Sequence, residues 1–213
     1  MPPSTDPVFE AAGVAIFALT GAIVAARKGM DPFGFILLAT ITGVGGGTLR
    51  DLLLDRPVFW VQAPTDVIIC TAIALNSWAL AYLRPGLLEG WSGRKLLLWA
   101  DAAGLSLFAV IGTLRGLDAG VPVHSAVALG AMTATFGGIL RDVLAGDRPM
   151  VLWSRDFYVT AAAAGAAMTA LLVGLGLPGL VVVLGGSAAA FGLRAGSLLF
   201  GWSFPKLPGQ PPQ

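Results

Sequence analysis

Seven long apolar runs dominate the sequence. Each run approaches the roughly 20 residues that an α-helix, rising about 1.5 Å per residue, needs to cross the hydrocarbon core of a bilayer. We place them at Val8 to Ala26, Phe33 to Leu54, Pro64 to Leu83, Leu96 to Arg115, Val121 to Leu144, Phe157 to Leu175 and Gly179 to Leu199. Only 12% of the residues are charged, about half the share of a typical soluble domain. The sequence therefore predicts an all-α integral membrane protein with seven transmembrane helices, in contact with membrane lipid.

The charged and reactive residues exclude several classes of function. A formal net charge of +1 provides no basic face, so no nucleic-acid partner is expected. The single cysteine, Cys70, lies inside the third run, which excludes an intrachain disulfide and a cysteine metal cluster. With one histidine and no nucleophile beside a base, we predict neither an enzyme nor a cofactor.

Lysine and arginine are distributed unevenly between the two ends of the runs. Three of the 13 lie on the side of the N-terminus and ten on the opposite side. The three are Arg50, Arg56 and Arg115, and the ten are Arg27, Lys28, Arg84, Arg94, Lys95, Arg141, Arg148, Arg155, Arg194 and Lys206. The positive-inside rule then predicts a multi-pass protein of the cell (inner) membrane, with its N-terminus outside and its C-terminus in the cytoplasm.

The chain contains an internal repeat. At a shift of 91 positions, FEAAGVAIFALTG from Phe9 aligns with ADAAGLSLFAVIG from Ala100, and TGVGGGTLRD from Thr42 aligns with TATFGGILRD from Thr133. We interpret residues 8–83 and 96–175 as two three-helix repeats and residues 179–199 as a seventh helix. Because three is odd, the two units enter the membrane in opposite orientations. Such inverted repeats typically place a permeation or binding site at mid-bilayer, where interrupted helices meet.

Glycines cluster near the middle of the second and fifth runs: Gly45, Gly46 and Gly47 in one, Gly137 and Gly138 in the other. Consecutive glycines weaken a helix by about 1 kcal/mol each relative to alanine and leave backbone carbonyls uncovered. Such carbonyls can coordinate a cation that loses its hydration shell, assisted by nearby hydroxyls. The hydroxyls on these runs are those of Thr42, Thr48, Thr133 and Thr135. The alternative is that the glycines only allow close helix packing.

Leucine substitutions distinguish these two interpretations of the glycines. If the glycines border a pathway, we expect Gly46→Leu and Gly137→Leu to close it in a protein that still inserts and assembles, because the side chain fills the space beside the carbonyls. Unchanged conductance would favour packing.

An Arg-Asp pair follows each glycine cluster. Arg50 and Asp51, like Arg141 and Asp142, lie within or near the apolar zone, where each charge costs roughly 2.5 to 3.5 kcal/mol on insertion scales. Charges retained at that cost usually face a cavity or a partner, although a purely structural ion pair is the alternative.

Each arginine has an acidic residue at its own depth. Glu10 begins the first run and Asp101 lies early in the fourth, so we predict the pairs Glu10 with Arg50 and Asp101 with Arg141. The rival arrangement pairs each arginine with the aspartate of the other motif. We expect Glu10→Gln to reduce cation current more than Glu89→Gln, because a charge in a cytoplasmic loop is screened within roughly 8 Å.

The doubled signature GGGTLRDLLLDRP from Gly45 and GGILRDVLAGDRP from Gly137, on seven runs with an inverted repeat, resembles the prokaryotic trimeric intracellular cation channel (TRIC) family. The resemblance covers nearly the whole chain. It implies a homotrimer with a hydrophilic pore in each subunit, second and fifth helices kinked at their glycines, and conduction of K⁺ and to a lesser extent Na⁺. The second motif has Phe136 where the first has Gly45.

Three functions remain open at the level of sequence. The leading hypothesis is a passive channel for monovalent cations, lined by glycine carbonyls and threonine hydroxyls, in which the Arg-Asp pairs shape the electric field. The alternative is a secondary transporter for a small zwitterion such as glycine, with helix half-ends binding its carboxylate and amine. A structural membrane protein is the third.

Overall fold

The computed structural model describes residues 7–88, 90–153 and 156–205. The described residues form nine α-helices: α1 (Pro7–Arg27), α2 (Pro32–Leu53), α3 (Phe59–Gln62), α4 (Thr65–Leu83), α5 (Trp91–Asp118), α6 (Val123–Leu144), α7 (Met150–Trp153), α8 (Val159–Gly174) and α9 (Gly179–Phe200). Seven correspond to the predicted runs, whereas α3 and α7 have four residues each. Glu89, Arg155 and Lys206 lie outside the described residues.

Six helices of the described chain are long and apolar enough to cross a membrane: α1, α2, α4, α5, α6 and α9. The seventh apolar helix, α8, has 16 residues, about 24 Å of helix against roughly 30 Å of hydrocarbon. It begins two residues later than predicted because the segment before it binds elsewhere: the Phe157 amide donates to Ser197 Oγ at 3.2 Å, and Asp156 pairs with Ser203.

Helix ends follow local signals in the sequence. α1 ends in a turn through Gly29, whose φ of 61° favours glycine. Asp31 then caps α2, because its carboxylate accepts a hydrogen bond from the Gly34 amide at 2.8 Å, and Pro32 occupies the first turn.

Helices α1, α2, α5 and α6 contact one another at the centre of the molecule. On one side, α4 packs against α1 and α2; on the other, α8 packs against α5 and α6. α9 packs against α5 and α8. The start of α1 lies beside the end of α5, since Glu10 contacts Arg115 while Phe17 contacts Phe108, so these two helices run antiparallel.

Candidate functional site

The first cluster consists of Glu10, Arg50, Asp51 and Arg115. The Arg50 side chain is 1% exposed; its Nη2 lies 3.2 Å from Glu10 Oε1 and its Nε 2.8 Å from Asp51 Oδ1. The second Glu10 oxygen, Oε2, lies 2.7 Å from Nη2 of Arg115. Two carboxylates therefore balance two guanidinium groups at this position.

The second cluster consists of Thr20, Asp101, Arg141 and Asp142. Arg141 is fully buried; its Nη1 lies 2.9 Å from Asp101 Oδ1 and its Nε 2.9 Å from Asp142 Oδ1. Nη1 also donates to the Thr20 hydroxyl at 3.0 Å. Here two carboxylates face one guanidinium group, so the cluster carries a formal charge of −1.

The predicted pairing of acids and arginines is confirmed. Glu10 pairs with Arg50 and Asp101 with Arg141, and each acid precedes its arginine by 40 residues. Among the described residues, each arginine also pairs with the aspartate that directly follows it, Asp51 or Asp142, and with no aspartate of the other motif. In the described part of the chain, the rival arrangement is absent.

Both motif aspartates also anchor a short helix. Asp51 Oδ2 accepts a hydrogen bond from the Phe59 amide at 3.0 Å, and Asp142 Oδ2 accepts one from the Met150 amide at 2.9 Å. These amides begin α3 and α7, so each carboxylate satisfies a donor that a helix N-terminus leaves free. This role was not predicted from the sequence, although both aspartates precede their amide by the same eight residues.

A third group of side chains extends the second cluster. Tyr158 is buried and interacts electrostatically with Asp101 and Arg141. Arg194 lies over the Tyr158 ring, with Cζ 4.9 Å from the ring centroid and Nη1 3.4 Å from Asp156 Oδ2. No repeat pattern indicated this contact, because α9 has no counterpart in the repeat.

The central glycines of the two motifs bring α2 and α6 into contact. A Cβ on Gly46 would overlap the carbonyl oxygen of Thr133, and a Cβ on Gly137 would overlap that of Thr42. The two contacts are equivalent in the repeat, because Gly137 follows Gly46 by 91 positions and Thr133 follows Thr42 by the same number. Close packing therefore explains Gly46 and Gly137 in this structure.

One expectation about these glycines is wrong. α2 and α6 are continuous α-helices through Gly46 and Gly137, so no interrupted helices meet there. For the leucine variants, a Cβ alone already overlaps backbone of the facing helix, so α2 and α6 have to move apart to accept leucine. The effect of these variants on conductance stays a prediction.

The neighbouring glycines make room for aromatic side chains beside the arginines. A Cβ on Gly47 would lie 2.6 Å from the Phe59 ring, which lies 5.6 Å from Arg50 Cζ. A Cβ on Gly138 would lie 3.1 Å from the Tyr158 hydroxyl and 3.6 Å from Arg141 Nη2.

The threonine hydroxyls bind their own helices. Thr42, Thr48, Thr133 and Thr135 each donate to a carbonyl one turn earlier, at 2.6 to 2.9 Å. Thr42 and Thr133 lie at the contact of α2 and α6, whereas Thr48 also accepts a hydrogen bond from Trp60 Nε1 at 2.8 Å.

A separate apolar cavity of about 430 Å³ is lined by Gly45, Thr48, Trp60 and Phe136, among other residues.

Comparisons with known proteins identify the family. A family model described as "Glycine transporter" matches residues 7–82 and 98–174. The inner membrane protein YadS of Escherichia coli is 40% identical over 154 residues, 72% of each chain. The membrane protein YvgT of Bacillus subtilis is 36% identical over 203 residues, 91% of this chain and 92% of that one.

Solved structures extend the match to the fold. The TRIC trimeric intracellular cation channel orthologue from Rhodobacter sphaeroides superposes with a TM-score of 0.85 at 47% identity, over 92% of this chain and 98% of the other. The chain belongs to the TRIC family. A second TRIC cation channel matches with a TM-score of 0.82 at 29% identity, over 98% of this chain and all of the other. The two arginine clusters thus lie within a TRIC fold.

Proposed function

We propose that this TRIC protein conducts monovalent cations, K⁺ and Na⁺, along a path between α1, α2, α5 and α6 in each subunit of a homotrimer. The observation that carries the proposal is the pair of buried ion clusters among these four helices. Charges kept inside a membrane protein typically mark an ion pathway. The similar solved structures are described as cation channels, one of them trimeric.

The charge balance of the clusters favours cations. An uncompensated arginine would repel a cation in a medium of low dielectric constant. In the first cluster the carboxylates equal the arginines, and in the second they outnumber them. Nη1 of Arg50 and Nη2 of Arg141 have no hydrogen-bond partner among the described residues, so both can bind water along the path.

The roles of the motif residues follow from this proposal. The motif glycines and threonines form the contact of α2 and α6 that borders the path. The Arg-Asp pairs, with Glu10 and Asp101, determine the electric field along it. We assign no catalytic activity, because the similar solved structures are channels.

We place the protein in the inner membrane. YadS is named an inner membrane protein, and the lysine and arginine count supports an external N-terminus and a cytoplasmic C-terminus. The antiparallel α1 and α5 support two inverted three-helix repeats followed by α9.

Transport of a small zwitterion such as glycine is the second candidate, supported by the description of the matching family. Planar-bilayer recording of the purified protein in a K⁺ to Na⁺ gradient separates the two. We expect unitary cation currents at rates far above transporter turnover, with a reversal potential set by K⁺ and Na⁺. Glycine uptake into liposomes without unitary current would instead establish the transporter, and the absence of both would favour a structural protein.

A further inference from the structure

Two phenylalanines meet at the centre of the four central helices. The rings of Phe17 and Phe108 stack with centroids 5.2 Å apart and an interplanar angle of 29°. Both side chains are buried, and Phe17 is the middle residue of α1. The pair therefore lies near mid-membrane.

Each ring lies over a glycine of the opposite helix. A Cβ on Gly104 of α5 would overlap the Phe17 ring, and a Cβ on Gly13 of α1 would lie 3.3 Å from the Phe108 ring. Phe17 also reaches α6, where a Cβ on Gly137 would lie 3.5 Å from the ring. The two rings thus fill the space between α1, α5 and α6.

The ion clusters lie on opposite sides of this pair. Glu10 precedes Phe17 by seven residues and Asp101 precedes Phe108 by seven, about 10 Å of helix in each case. Because α1 and α5 are antiparallel, the first cluster is on one side of the rings and the second on the other. An apolar layer therefore separates two groups of buried charges.

We propose that the Phe17–Phe108 pair is the hydrophobic barrier that closes the cation path between the two clusters. This inference rests on the proposed cation conduction. A constriction lined by apolar side chains blocks ions by excluding the water that would hydrate them. Here both stacked rings must move apart, or be replaced by smaller or polar groups, before a continuous file of water joins the clusters.

Phe17→Ala, Phe108→Ala and the double variant test the barrier, with Phe35→Ala as the matched control. Phe35 is equally buried but lies near the start of α2, where it lines a pocket with Met30 and Trp78. For each variant we measure K⁺ flux from liposomes, the open probability of the channel in planar bilayers and the melting temperature of the protein. We expect each barrier variant to raise K⁺ flux by about tenfold, equal to about 1.4 kcal/mol of barrier, and Phe35→Ala to lower stability without raising flux. Phe108→Asn should raise flux further, because its amide binds water.

The outcomes separate this inference from the function on which it rests. Folded barrier variants with wild-type flux, beside a conducting wild type, overturn the barrier alone. A similar increase in Phe35→Ala also overturns it, since any core cavity would then have the same effect. No K⁺ flux from the wild type or from any variant overturns the proposed function and the barrier with it.

Discussion

At the scale of residues, Arg50 and Arg141 each depend on two acids that reach them by different routes. Asp51 and Asp142 are the chain neighbours of their arginines, whereas Glu10 and Asp101 come from another helix. Removing one partner of a buried ion pair costs roughly 3 to 5 kcal/mol, because the other charge is left uncompensated. The remote acids therefore link α1 to α2 and α5 to α6.

Glu10 is the more exposed of these remote acids and contacts two arginines, which makes it a sensitive position. We expect Glu10→Gln to reduce cation current at least about tenfold, since Arg50 and Arg115 then present net positive charge to the path. The matched control is Asp118→Asn, whose carboxylate is 56% exposed and pairs with Arg56. Bilayer conductance and melting temperature are measured for both, and equal conductance in the two variants would contradict the assignment.

At the scale of elements, hydropathy and the repeat predicted the long helices and the two remote ion pairs. They could do so because helix length and charge burial are constraints of the bilayer itself. The four-residue helices α3 and α7 were missed, since single turns carry no periodicity. Whether the motif glycines pack or border a pathway stayed open, because a glycine gives the same sequence signal whether it faces water or a carbonyl.

That contact leads to a prediction about stability. We expect Gly46→Ala and Gly137→Ala each to destabilise the protein by about 1 to 3 kcal/mol through overpacking. Gly192→Ala in α9 is the control: an added Cβ there has no neighbour within 4 Å, so alanine should be neutral or stabilising by up to about 1 kcal/mol. Thermal unfolding in detergent, followed by size-exclusion chromatography, measures all three. Wild-type stability of both motif variants would show that α2 and α6 do not touch in solution.

At the scale of the whole molecule, the apolar exterior must face lipid or other subunits. Large side chains such as Phe33, Tyr82 and Phe200 are more than 70% exposed in the single chain, an arrangement that is stable only in a non-aqueous environment. The R. sphaeroides relative is a trimeric channel, and the same assembly would cover part of this exterior.

We expect the purified protein in mild detergent to have the mass of three chains. We also expect each of the three subunits to contain its own cation path. Native mass spectrometry gives the stoichiometry, and a dimer would contradict it. Linked trimers containing zero to three Glu10→Gln subunits then locate the paths. If each subunit has its own path, the total current falls in equal steps as variant subunits are added. If the three subunits share one path on the threefold axis, each linked trimer instead shows a single conductance level that differs from wild type.

The reciprocal contacts of Gly46 with Thr133 and of Gly137 with Thr42 also affect the order of biogenesis. Thr133 is synthesised 87 residues after Gly46, a delay of about 4 to 17 seconds at typical translation rates of roughly 5 to 20 residues per second. Until the end of that interval α6 is incomplete, so the face of α2 that packs against Thr133 has no partner helix. The first half of the nascent chain therefore lacks its packing partner for this time. If cells produce the two halves as separate chains, we expect each half to be degraded unless both are present.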